Sequence, residues 1–214
     1  MTTLRPSRLL MLLGASLLAW LLVLVTAPTE RTLGTLVRWV YAHASLTQVA
    51  LLFFLAAAVL AVVYLTGKES WYDWFRVAGL VALGLWLFGF MLSMVPARLS
   101  WGVWVDWNEP RTQLTLLVLV LGGVVLFLGR WVDSRRFDAL AQILFSALVL
   151  LLNRNTGVIR HPFNPIGSAA STAIPLTYGL VFLIALFASG VLVLLLLSTR
   201  HPRPAAARPF RTTH

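Results

Sequence analysis

Six long apolar runs constrain the fold of this chain more than any other feature. They are Leu9 to Val25, Thr47 to Leu65, Val77 to Val95, Leu114 to Val132, Ala139 to Leu152 and Ile174 to Ser198. The apolar layer of a bilayer is about 30 Å thick and needs roughly 20 such residues per helix. No run alternates as a transmembrane β-strand does. The sequence therefore predicts an all-α, polytopic membrane protein with six transmembrane helices.

Composition agrees with this fold class. The 214 residues are 59% hydrophobic and only 11% charged, which is too apolar for a soluble domain. The fifth run is the shortest, so Asp138 or Asn153 must lie near the lipid headgroups. The first run is followed by Ala27 to Glu30 and not by a small-residue cleavage site, so we expect a retained helix. We expect one membrane domain over residues 1–198 and a basic, flexible tail over 199–214.

The distribution of basic residues predicts the orientation. With the N-terminus inside, eleven of the 17 Lys and Arg residues fall on the inner side and six on the outer side. The outer six are Arg31, Arg38, Arg98, Arg111, Arg154 and Arg160. The positive-inside rule then places both termini in the cytoplasm. The net charge of +10 follows from this bias and from attraction to anionic lipid, so no nucleic-acid partner is needed.

Several function classes are disfavoured. The predicted spans hold no acid, lysine or arginine well inside the apolar run, which argues against a pump or an ion-coupled transporter. No histidine lies in mid-span, where a cytochrome b type subunit holds its haems. The absence of cysteine excludes a CxxCH haem attachment site and a thiolate ligand. No catalytic constellation is recognisable, so we do not expect an enzyme.

The segment WGVWVDWNEPRTQ, between the third and fourth runs, is rich in tryptophan. On a helix, at about 100° per residue, Trp101, Trp104 and Trp107 would fall within an arc of roughly 120°. Asp106 and Glu109 would then lie away from this face or at its edge. One interpretation is an interfacial aromatic belt that anchors the protein in the membrane. The other is a flat apolar platform for a planar ligand.

Two histidines favour the platform. His43 ends the first predicted outer loop and His161 lies in the third, so both share a membrane face with the tryptophans. Imidazole nitrogens bind haem iron. Arginines on the same face, among them Arg38 and Arg111, would bind the two propionates. The residues therefore suggest a haem site, with His43 and His161 as candidate iron ligands.

The tryptophan segment resembles the "WWD" motif of the haem-handling proteins of cytochrome c maturation, in particular the six-span CcmC type. That motif reads approximately W-G-x-W-W-x-W-D. Trp101, Gly102, Trp104 and Trp107 match it, whereas Val105 and Asn108 replace a tryptophan and the aspartate.

The other predicted outer loops resemble that family to different degrees. The segment from Ala27 to His43 matches its first outer loop, and the resemblance makes His43 an axial haem ligand. Ser45 replaces a proline that is usual there. The third loop, GVIRHPFNPIGSAAS, departs most, because its ligand position falls near Ser168 and not at His161.

The resemblance implies a protein that binds haem on an outer platform and hands it on for cytochrome c assembly. Its implied partners are a haem chaperone or apocytochrome c, and the subunits of an ABC transporter. Its implied location is the plasma (inner) membrane. The alternative is a structural or permease subunit of a larger membrane complex, in which the tryptophans are interfacial anchors.

Overall fold

The computed structural model of the protein describes residues 5–160, 166 and 171–200. Within these residues it contains six helices long and apolar enough to cross a membrane, which confirms the predicted all-α fold class. The helices are α1 (Pro6–Thr26), α2 (Val37–Leu65), α3 (Tyr72–Trp101), α4 (Pro110–Val132), α5 (Arg135–Asn155) and α6 (Ala173–Arg200). A single 3₁₀ turn, Glu69–Trp71, precedes α3.

The helices are longer than the apolar runs that predicted them. The largest difference is in α2, which begins at Val37, ten residues before the predicted start at Thr47. An apolar run marks only the part of a helix suited to hydrocarbon, whereas backbone hydrogen bonding continues through the headgroup region. For the same reason α6 continues to Arg200, so residues 199–200 of the predicted tail are helical. Residues 201–214 lie outside the described residues.

Consecutive helices run in alternating directions. At one end, Arg38 of α2 donates to the carbonyl of Ala27 after α1 (3.3 Å), and Arg111 of α4 donates to Asn153 of α5 (2.9 Å). At the other end, the first turn of α3 meets the last turn of α6, where Arg200 lies 3.4 Å from Asp73. We call the first of these the tryptophan end, because it carries the connection between α3 and α4.

Helix α2 is the centre of the bundle, in contact with α1, α3, α5 and α6. Its Phe54 is fully buried and packs edge-on against Phe145 of α5, with ring centroids 5.4 Å apart. Nearer the tryptophan end, α2 and α3 approach closely at Gly89. A Cβ on Gly89 would lie 3.0 Å from the Thr47 hydroxyl and 3.3 Å from the His43 carbonyl. This close approach fixes the position of His43 relative to α3.

A polar cluster ties three helices together at the opposite end. Tyr72 donates to Asp138 of α5 (2.6 Å), and the guanidinium of Arg76 lies 3.1 Å from the same carboxylate oxygen. Gly129 of α4 lies against Asp138, with no room there for a Cβ. Because Asp138 lies in the first turn of α5, its negative charge is also favoured by the helix dipole.

The predicted orientation is testable because the chain has no cysteine of its own. Ser100, at the tryptophan end, and Ser70, at the opposite end, are both exposed. In intact cells Ser100→Cys should react with a membrane-impermeant thiol reagent, and Ser70→Cys should react only after lysis. The reverse pattern would contradict the orientation predicted from the basic residues.

Candidate functional site

The tryptophan segment is a loop and not a helix. Helix α3 ends at Gly102, which adopts a left-handed conformation (φ 76°) that favours glycine and donates its amide to the Arg98 carbonyl (3.1 Å). Helix α4 begins at Pro110, a position that suits proline because its missing amide has no helical partner. Residues 102–109, the tryptophan loop, are therefore not helical. The predicted helical shelf of three indoles is wrong.

The loop presents two indoles in place of three. Trp104 is 58% exposed and Trp107 is 66% exposed, whereas Trp101 belongs to the last turn of α3 and is half-buried. The Trp107 carbonyl accepts a hydrogen bond from the side chain of Gln113 (2.9 Å), which links the loop to α4. Two large apolar side chains thus lie on the surface of a connection whose ends are both fixed.

Glu109, the last residue of the tryptophan loop, is buried to 1% exposure. Its carboxylate accepts the backbone amides of Ile159 (3.2 Å) and Arg160 (2.9 Å) from the connection after α5. A buried carboxylate is costly unless such hydrogen bonds satisfy it. The contact therefore joins the second and third connections of the tryptophan end.

Asp106 makes a second link between the same two segments. Its carboxylate lies 2.7 Å from the Arg160 guanidinium and also accepts the amide of Asn108 (3.1 Å), and its side chain is only 7% exposed. The sequence placed Asp106 and Glu109 away from the indole face or at its edge. In the structure both acids contact the connection after α5 and hold the tryptophan loop in place.

His43 is part of a helix, whereas the sequence had placed it at the end of a loop. It lies in the second turn of α2 and is half-buried, and its Nδ1 donates to the Trp39 carbonyl at 2.9 Å. Because a carbonyl only accepts, this bond places the proton on Nδ1 and makes Nε2 the nitrogen suited to bind a metal.

The His43 backbone and the start of the tryptophan loop lie at different levels along α3. Gly89 of α3 lies against the His43 carbonyl, and Trp101 is twelve residues further along α3. At 1.5 Å per residue this is about 18 Å along a straight helix. The backbone of His43 therefore packs against α3 about three turns before the tryptophan loop begins.

The arginines predicted to bind propionates have neutral partners. Arg38 donates to the carbonyl of Ala27, and Arg111 donates to the side-chain oxygen of Asn153. A third arginine, Arg98, donates to the Gly102 carbonyl, and its guanidinium carbon lies 6.0 Å from the Trp104 ring centroid. Hydrogen bonds to neutral acceptors leave the full positive charge on each group.

The connection between α1 and α2 is held by a carboxylate of its own, that of Glu30. The Glu30 carboxylate accepts the amides of Thr32 and Leu33, both at 2.8 Å, within a turn that needs Gly34 in a left-handed conformation (φ 56°). The hydrogen bond from the Leu33 amide lowers the pKa of Glu30 from its ordinary value. A lowered pKa means that this turn is stabilised while the carboxylate is ionised and loses that contribution as the pH falls through its pKa.

The second predicted iron ligand, His161, and the alternative position, Ser168, lie outside the described residues. Arg160, which precedes His161 in the chain, is held by Asp106 and Glu109. The sequence had not identified Asp106 and Glu109 as site residues. Their position beside the tryptophans, in the only acidic part of that segment, is the signal that could have identified them.

Loss of the Glu109 carboxylate should release the connection after α5. Hydrogen bonds to a charged group contribute about 1.5–3 kcal/mol each, so amide exchange of Ile159 and Arg160 should be at least tenfold faster in Glu109→Ala. Hydrogen–deuterium exchange of the purified protein in lipid nanodiscs measures this. Glu30→Ala removes a carboxylate from another loop and should leave these two amides unchanged. Equal exchange in wild type and Glu109→Ala would contradict the joining role of Glu109.

No model of a known protein family matches the chain. No curated protein shows significant similarity to it either. The likeness to the WWD motif therefore depends on the residues of the tryptophan loop and of the segment from Ala27 to His43.

Proposed function

We propose that this protein binds haem b at the tryptophan end and passes it on for cytochrome c assembly. The observation that carries the proposal is the pair of exposed indoles, Trp104 and Trp107, on a loop fixed by two buried carboxylates. A planar, largely apolar ligand gains most from aromatic faces that are already held in place, because little conformational entropy is then lost on binding.

The fixing of the loop favours a binding platform over an interfacial anchor. An anchor needs only an indole at headgroup depth and tolerates a loop that moves. Burying Glu109 is costly unless its partners are well placed, and here two amides from a segment some 50 residues away in the chain satisfy it. Asp106 forms an ion pair with Arg160 of the same segment. Such an arrangement suits a surface that must keep its shape.

Two histidines are the proposed iron ligands, and they contribute unequally to the argument. His43 has the suitable tautomer and a fixed backbone, which packs against α3 about three turns before the tryptophan loop begins. We assign His161 to the site from its sequence position, next to Arg160, which is held by Asp106 and Glu109. In this proposal haem supplies the iron, and the protein supplies imidazole, aromatic surface and positive charge.

The proposed partners come from the resemblance to the CcmC type. They are a haem chaperone or apocytochrome c as the acceptor, and the subunits of an ABC transporter. The proposed location is the plasma membrane, with the tryptophan end on the outer face. The proposed task is binding and handover, so no covalent bond forms between haem and this chain.

Tryptophans at both ends of the bundle favour the alternative of an interfacial anchor in a larger complex. Trp131, in the last turn of α4 at the opposite end, is 77% exposed. Exposed tryptophan at both ends is what an aromatic belt predicts. Trp131 is therefore the matched control for the two indoles of the tryptophan loop.

The double variant Trp104→Leu with Trp107→Leu should separate the two functions. Each aromatic contact contributes about 0.5–1.5 kcal/mol beyond its buried area, so two lost contacts should weaken haem binding roughly tenfold at 1.4 kcal/mol per decade. Haem titration in nanodiscs measures the affinity, and membrane fractionation measures insertion. Trp131→Leu should bind haem as the wild type does. Unchanged haem affinity in the double variant would favour the anchor.

The two proposed ligands can be tested by absorption spectroscopy of the haem-loaded protein. Two imidazole ligands give a low-spin spectrum, so His43→Ala and His161→Ala should each lose haem or convert it to a high-spin form. If only one substitution changes the spectrum, the other histidine is not a ligand. If neither does, the assignment of both histidines is wrong, whatever the tryptophan variants show.

A further inference from the structure

Arg98 is distinguished from the other arginines of the tryptophan end by its neighbour. It is exposed, it lies in the last turn of α3, and its guanidinium is 6.0 Å from the ring centroid of Trp104, which is itself 58% exposed. Its hydrogen bond to the Gly102 carbonyl holds it beside the start of the tryptophan loop. A cation held by its backbone contact therefore lies over the ring of an exposed indole.

The other arginines with described contacts are directed elsewhere. Arg160 is paired with the buried carboxylate of Asp106 (2.7 Å), which neutralises it. Arg111 is half-buried and bound to Asn153, and Arg38 is bound to the carbonyl at the end of α1. Of the arginines at this end, Arg98 is the one with a described contact to an exposed indole.

We infer that Arg98 recognises a carboxylate at the edge of the flat ligand, so that the platform selects porphyrins with free propionates. This inference rests on the proposed haem function. A flat ligand that packs beside this cation on the exposed indole would bring a carboxylate on its rim to the guanidinium. The planar, multidonor guanidinium matches a carboxylate through two parallel hydrogen bonds. An esterified propionate has lost the negative charge that such a pair needs.

The test compares iron protoporphyrin with its dimethyl ester, which has the same macrocycle and iron but no free carboxylate. Both are titrated into the full-length protein in phosphatidylcholine nanodiscs. The wild type should bind the free acid about tenfold more tightly, as expected for a charge-assisted hydrogen bond. Arg98→Gln should bind the two ligands about equally. Arg154→Gln, which removes an exposed arginine from the last turn of α5 at the same end, should keep the wild-type preference.

The ratio of the two affinities distinguishes recognition from a purely structural role. If Arg98 only stabilised the end of α3, Arg98→Gln would weaken both ligands and leave the ratio unchanged, which would overturn the inference. If Arg98→Gln binds neither ligand, Arg98→Lys decides, because lysine keeps the charge. A retained preference in that variant supports the inference, and equal affinities overturn it.

Failure of this inference and failure of the proposed function give different results. If the wild type binds neither porphyrin, the proposed function is wrong. If the wild type binds both equally, haem binding stands and carboxylate recognition by Arg98 is wrong. A lipid phosphate is the other source of an anion here. Retention of phosphatidylglycerol by the wild type and not by Arg98→Gln, with no preference between the porphyrins, would assign Arg98 to lipid.

Discussion

The buried carboxylate of Glu109 is the contact on which the tryptophan end depends. Its oxygens accept two consecutive backbone amides from a segment 50 residues later, at 2.9–3.3 Å. A carboxyl group at 1% exposure is costly unless hydrogen bonds replace its hydration. The tryptophan loop and the connection after α5 must therefore fold against each other, and the exposed positions of Trp104 and Trp107 follow from that docking.

The arginine side chains at the two ends of the bundle differ in their partners. At the opposite end, Arg76, Arg135 and Arg200 each lie within 4 Å of a carboxylate. At the tryptophan end Arg160 is paired with Asp106, whereas Arg38, Arg98 and Arg111 donate to neutral oxygens. Cations whose partners are neutral keep an electrostatic attraction for an anion that arrives later. These three arginines therefore suit an anionic ligand at the tryptophan end.

The number and order of the helices could be predicted from the sequence because each apolar run reports burial or lipid contact directly. The ends of the helices could not be placed by the same signal. Val37 and Tyr41 are fully buried in α2, but they lie among polar residues that interrupt the apolar run. His43 was therefore placed in a loop when it belongs to the helix.

The error in the tryptophan segment has a different cause. Spacing of three residues fits a helical face, but Gly102 and Pro110 are strong stop and start signals at the boundaries of the segment. The burial of Asp106 and Glu109 could not be predicted from the neighbouring residues, because their partner segment is distant in sequence and only the fold brings it near. The His43 backbone packs against α3 at Gly89, about 18 Å along that helix from the start of the tryptophan loop. A haem bound at both the loop and His43 would bridge these two levels, and this makes the haem spectrum of the His43 variant the most informative measurement on the site.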